Sequence, residues 1–184
     1  MYKKVSIPKS GDGAGCPVAK SSDVIIIDVE DIKTEPTRAV GDPTMTGDLE
    51  LEEGAKAVAI YGTPSTITEN EEYSGDPDAR GVKQGFEFEH PGDSAAIKGF
   101  IEAFLNKGVV ILSKECDGSS AGRVKCYGSK CNPLFLTPER TGNNEANKRR
   151  LTFAQELPGK FLAGEYSGAM PPIAEAAAAA SEGA

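Results

Sequence analysis

In this 184-residue chain, one stretch repeats its apolar residues at the helical period, and that limits the fold more than any other feature. Ile97, Phe100, Ile101, Phe104 and Leu105 fall at i, i+3, i+4, i+7 and i+8, which places them on one core-facing stripe. Asp93 or Ser94 supplies an N-cap. Asn106-Lys107-Gly108 ends the helix, with Gly108 as a left-handed cap. The spacing predicts a helix over 94–106. On both sides the pattern changes to strands. Gln84-Gly85-Phe86-Glu87-Phe88-Glu89-His90 alternates with period two, and Val109-Val110-Ile111-Leu112 reads as a strand buried on both faces. One helix among short strands has to pack on the side of a sheet that buries its own faces. The expected class is mainly β: a β-sandwich or barrel of about eight short strands with one packed α-helix.

The other strands are read from local pattern. Val24 to Val29 is rich in β-branched residues, and Asp48-Leu49-Glu50-Leu51-Glu52 puts two leucines on one face and three acids on the other. Ala55 to Tyr61, Arg123 to Tyr127, Pro133 to Leu136, Arg150 to Gln155 and Phe161 to Tyr166 complete the set, with 123–127 returning along 109–112 as a hairpin. Residues 33–46 and 141–147 read as polar loops. The acidic, turn-rich span 62–81 reads as a loop that is mobile or ordered by a partner. Residues 1–20 are expected to form a flexible arm, 21–168 a single β-rich domain, and 169–184 a Pro- and Ala-rich flexible tail, since a short isolated Ala helix is marginal in water.

Composition removes several function classes. Asp and Glu outnumber Lys and Arg by 28 to 20, a formal net charge of −8, which argues against a broad basic footprint for nucleic acid. With one histidine, a His-rich metal site is excluded and any catalytic triad must use His90. The 21 glycines and 12 prolines imply many turns. The basic N-terminus is not followed by an apolar signal segment, and the run Val24–Ile27 is far too short to span a bilayer, so no membrane insertion is expected. Cys16, Cys116, Cys126 and Cys131 are expected as free thiols of a protein made in a cytoplasm.

Each short motif has a plainer reading beside it. Gly118-Ser119-Ser120-Ala121-Gly122 matches the G-x-S-x-G elbow of hydrolases, but the elbow needs a following helix and a later histidine. Here a strand follows and His90 lies upstream, so a hairpin turn is favoured over a nucleophilic Ser120. Gly11-Asp12-Gly13-Ala14-Gly15 lacks the preceding strand and the G-K-[ST] ending of a phosphate loop. Asp76 and Asp78 lack the rest of a calcium ladder. Cys126 and Cys131, with distant Cys116 and Cys16, match zinc spacing poorly, and a Cys126–Cys131 disulfide is an alternative under oxidising conditions. No cofactor, metal or catalytic residue is expected. Asp48, Glu50 and Glu52, with Glu87 and Glu89, make two acidic ladders. They are either ordinary solvated faces or one shared sheet face lining an acidic channel, with Arg123 and Lys125 as offsetting bases.

The order of parts resembles a known family. The helix from Ser94 to Leu105 runs directly into Gly108-Val109-Val110-Ile111-Leu112, long polar loops precede it, and Arg150-Leu151-Thr152-Phe153-Ala154-Gln155 comes before Gly164-Glu165-Tyr166-Ser167-Gly168. This layout, over 24–168, is similar to the tail tube proteins of long-tailed bacteriophages, which are akin in build to the tubes of contractile injection systems. The resemblance implies a structural, non-enzymatic virion protein whose partners are other copies of itself in stacked hexameric rings and other tail proteins. Inner strands would join across subunits around a channel for DNA ejection, and arms or loops would bridge rings. Asp48, Glu50, Glu52, Glu87 and Glu89 are the candidate lumen residues, repelling passing DNA. The alternatives are a capsid decoration protein, a tail terminator, or a hydrolase using Ser120.

Overall fold

The computed structural model describes residues 4–116 and 122–176. Among them are one α-helix and thirteen strands, more than the eight expected because several are only two or three residues long. The strands are β1 (Ala19–Lys20), β2 (Asp23–Asp28), β3 (Ile32–Thr34), β4 (Thr44–Met45), β5 (Glu50–Leu51), β6 (Val58–Tyr61) and β7 (Thr68–Ser74). They continue with β8 (Gly81–Pro91), β9 (Val109–Cys116), β10 (Arg123–Tyr127), β11 (Leu134–Gly142), β12 (Asn147–Gln155) and β13 (Gly164–Tyr166). The helix α1 is Ala95–Phe104.

Strand β9 is the hub. One edge pairs antiparallel with β10 from Ile111 to Glu115, and β11 takes over at Val109. The other edge pairs with β2 from Val109 to Leu112 and then with β1 at Glu115 and Cys116. Both faces of β9 are covered, which is why its first four residues are uninterrupted apolar. Val109 and Ile111 face a core with Val24, Ile26, Phe86, Phe88, Leu151 and Phe153. Val110 and Leu112 face a second core with Ile25, Ile27, Ile32, Leu49 and Cys126. Sheet β11–β12–β8–β7 folds over the first core, and the separate hairpin-like pair β3–β5 covers the second. Phe86, Phe88 and Phe153 are wholly buried, with Phe88 stacked on Phe153 at 6.1 Å between ring centres. Each such side chain contributes about 1.5–3 kcal/mol.

Helix α1 starts where Ser94 caps it: the Ser94 hydroxyl accepts from the Ile97 amide. Ile97 and Ile101 are buried, while Phe100 and Phe104 are half-buried and stack at 4.5 Å. Leu105, expected on the same stripe, is 48% exposed, because the helix ends at Phe104 and the chain turns toward β9. Gly108 does not adopt the left-handed cap conformation. It is needed instead for close approach, since a Cβ there would stand 2.6 Å from the Pro133 ring.

Two loop expectations are corrected. The acidic span 62–81 contains β7, a full strand paired residue by residue with β8 from Thr68↔Glu87 to Ser74↔Gly81. Its acids conceal a period-two strand because it is an edge strand with little to bury. The 33–46 loop is pinned by the Thr37↔Thr46 bridge and by β4, which pairs parallel with β13. At the C-terminal side, Ile173 bridges Ala57, with the Ala57 amide donating to Pro172 O and the Ala174 amide to Ala57 O.

Candidate functional site

Sheet β11–β12–β8–β7 presents a broad polar outer face. Period-two alternation along β8 buries Val82, Gln84, Phe86 and Phe88 and turns Lys83, Glu87 and Glu89 outward. Register places Thr152, Arg150 and Lys148 of β12 on the same face, then Thr137, Glu139 and Thr141 of β11, and Thr68, Asn70 and Glu72 of β7. Both outer edges are open. Beyond Leu134, β11 pairs only with β12, and β7 pairs only with β8, among the described residues.

The candidate lumen acids do not come together. Glu50 lies in β5, paired with β3 in a separate sheet over the second core, with Asp48 and Glu52 flanking it. Glu87 and Glu89 lie beyond the first core. The two ladders are therefore on opposite sides of β9, and the expectation of one shared sheet face is wrong. Alternation within a strand is local, whereas which sheet the strand joins is set by long-range pairing. Asp48 instead accepts a hydrogen bond from the Ala169 amide at 2.8 Å, and the Glu50 carboxylate accepts from the Thr34 hydroxyl.

Nor are Glu87 and Glu89 bare acids. Glu89 pairs with Lys148 at 2.7 Å and Arg150 at 3.1 Å, and Arg150 also stands 3.6 Å from Glu87. The Lys148 hydrogen bond, against some desolvation and with Arg150 in support, lowers the Glu89 pKa from its ordinary value. On this face Glu72, Glu87, Glu89 and Glu139 are nearly balanced by Lys83, Lys148 and Arg150. At its end Asp93 collects Arg149 at 2.6 Å, Arg140 at 3.2 Å and Lys98 at 3.3 Å, tying the helix start to β11 and β12.

A second charged group lies between the layers. The odd residues of β9 continue from Val109 and Ile111 into Ser113 and Glu115, so the interior passes from apolar to ionic along one strand. Lys20 meets Glu69 and Glu115, each at 2.6 Å, and Lys125 meets the same two acids, each at 2.8 Å. Burial pushes the Glu115 pKa up, but hydrogen bonds from Lys125 and Lys20 outweigh it and hold the pKa below the ordinary value. Glu69 behaves likewise, with Tyr127 as a further donor. The cluster joins β1, β7, β9 and β10, and beside it opens a cavity of about 420 Å³ lined by Pro43, Glu69, Glu71, Lys125, Leu162 and Glu165 among others. Sequence reasoning missed this group, although Glu115 in phase with Val109 and Ile111 was the available signal.

No family model, curated protein or solved structure matches this chain. The remaining motifs are placed by geometry alone. Ser120 falls outside the described residues. After Gly122 comes strand β10, not the helix an elbow needs, and His90 Nδ1 is engaged with the Tyr61 carbonyl at 2.8 Å. Cys126 is buried, and Cys16, Cys116 and Cys131 are exposed; all four thiols are free, so Cys126 and Cys131 form no disulfide. Among the described residues no group of three or more His, Cys, Asp and Glu side chains is placed to hold a metal ion. No described helix is long and apolar enough to cross a membrane.

Proposed function

We propose that this chain is a structural subunit that assembles side by side into rings, as a tail tube protein of a long-tailed phage does, with β11–β12–β8–β7 as the wall facing the channel. By that resemblance the rings are hexameric and stacked, the tube belongs to the virion, and DNA passes through without specific binding. The observation that carries this reading is a four-stranded antiparallel part of the larger sheet, covered on one face by the core, polar on the other, and, among the described residues, open along β7 and along β11 beyond Leu134. A monomer has to protect such edges, and a head-to-tail ring covers them by pairing β7 of one copy with β11 of the next. The near balance of charge on the outer face suits a wall along which a polyanion slides, because unpaired bases would hold it. The wall acids of this reading are Glu87 and Glu89, and the 48–52 acids face elsewhere.

Negative-stain electron microscopy over a protein concentration series in reducing buffer tests the reading. The expected result is rings or hollow tubes with a central channel. A defined low-order oligomer that caps tail ends or binds capsids without forming tubes would replace it with the terminator or decoration reading.

A further inference from the structure

Strand β6 pairs with β2 on one side, from Val58↔Ile26 to Tyr61↔Asp23. Its other side meets the C-terminal segment at a single point, just before the strand begins. There Ala57 bridges Ile173 in parallel: the Ala57 amide donates to Pro172 O, and the Ala57 carbonyl accepts from the Ala174 amide, each at 2.8 Å. Backbone groups alternate sides along a strand, so Ala59 and Tyr61 present theirs to the same side as Ala57. Gly62, of the other parity, donates to Ser22 O on the β2 side. Among the described residues, the Ala59 amide and carbonyl and the Tyr61 amide have no partner on that outer side, while the Tyr61 carbonyl is engaged by His90 Nδ1. Between this edge and α1 runs a groove of about 320 Å³. Ala59, Ser94 and Ala96 line it with small side chains, Ile97 and Phe100 add apolar surface, and Ala174–Ala176 border it. Beyond Ala174 the segment stands off the edge.

Unpaired edge groups beside an apolar groove are the two halves of a strand-addition site, in which backbone bonds hold the added strand and the groove takes its side chains. We propose that the occupant of this site is the chain's own C-terminal segment, which closes along β6 from its anchor at Ala57 as a short parallel strand over Ile173–Ala176. Three observations select it. The anchor fixes the register: its two bonds repeat two residues on as the Ala59 amide to Ala174 O and the Ala176 amide to Ala59 O, and then as the Tyr61 amide to Ala176 O. The segment already borders the groove, so closure is an intramolecular step at high effective concentration. Ala174 and Ala176 carry only a methyl, as Ala59 and Ala96 do across the groove, so the two backbones can approach without displacing a larger side chain. Closure covers an edge that β6 would otherwise offer to other chains. The inference is independent of ring assembly, which uses the edges of β7 and β11.

The test is amide hydrogen exchange of the whole chain, resolved by NMR at Ala57, Ala59 and Tyr61 over a protein concentration series. Slowed exchange at Ala59 and Tyr61 that does not depend on concentration is expected. Ala176→Pro removes the amide that bonds Ala59 O, and should speed exchange at Ala59 and Tyr61 about tenfold, the equivalent of one backbone hydrogen bond. Ala57, held at the anchor, should keep its protection in the same variant and so reports that the fold is intact. Exchange at Ala59 and Tyr61 at the rate of an open chain overturns the proposal. So does protection that appears only as concentration rises, which assigns the edge to a second copy, and so does protection that Ala176→Pro leaves unchanged.

Discussion

At Gly108 the chain passes so close to Pro133 that an added methyl meets the ring at 2.6 Å and 2.8 Å. Gly108→Ala is therefore expected to cost about 1–3 kcal/mol, the usual penalty of overpacking, read as a lower urea midpoint at unchanged slope. Cys126 makes a second residue-scale prediction. Burial pushes its thiol up to about 12. In the folded protein a thiol reagent at mildly alkaline pH should modify Cys16, Cys116 and Cys131, and Cys126 only after denaturant is added. Glu69 and Glu115 predict a pH effect with a definite sign. Their folded pKa values lie below the ordinary 4.5, so their contribution is present above that value and is lost as pH falls through it toward the folded values. Glu115→Gln should make the acid-side fall in stability shallower in chemical denaturation between about pH 5 and 3, and should cost about 1–3 kcal/mol at neutral pH by leaving Lys20 and Lys125 short of a partner.

At the scale of elements, legibility followed periodicity. Helix α1, β2, the β8 alternation and the β9–β10 hairpin were readable because each carries a repeat that depends only on near neighbours. Strand β7 was not, since an edge strand of mostly polar residues has no apolar period to show. The site was less legible than the fold: Glu87 and Glu89 were found, but their pairing with Lys148 and Arg150 depends on the β8–β12 register, and the separation from Glu50 depends on which core β5 covers. The helix start offers a direct check. Ser94→Ala removes the cap on the Ile97 amide and should cost about 0.5–1 kcal/mol, measured by thermal denaturation.

At the scale of the whole molecule, the open edge of β7 is the place where association should be sensitive. Tyr73 there is 68% exposed, beside Glu71, which accepts its hydroxyl hydrogen bond. On the ring reading, Tyr73→Lys should leave the circular dichroism of the monomer unchanged and abolish rings in micrographs, since exposed tyrosines on an interface carry much of its energy. The position of β9 has a further consequence, in time rather than in space. Its partners run from Ala19 to Leu134, and the sheet that covers its first core closes only when β12, ending at Gln155, has been made. A chain emerging from the ribosome thus cannot finish the β11–β12–β8–β7 strands until most of its length is out. On the ring reading, copies still being translated lack the completed β11–β12–β8–β7 surface and would be kept out of growing assemblies by the order of their own synthesis.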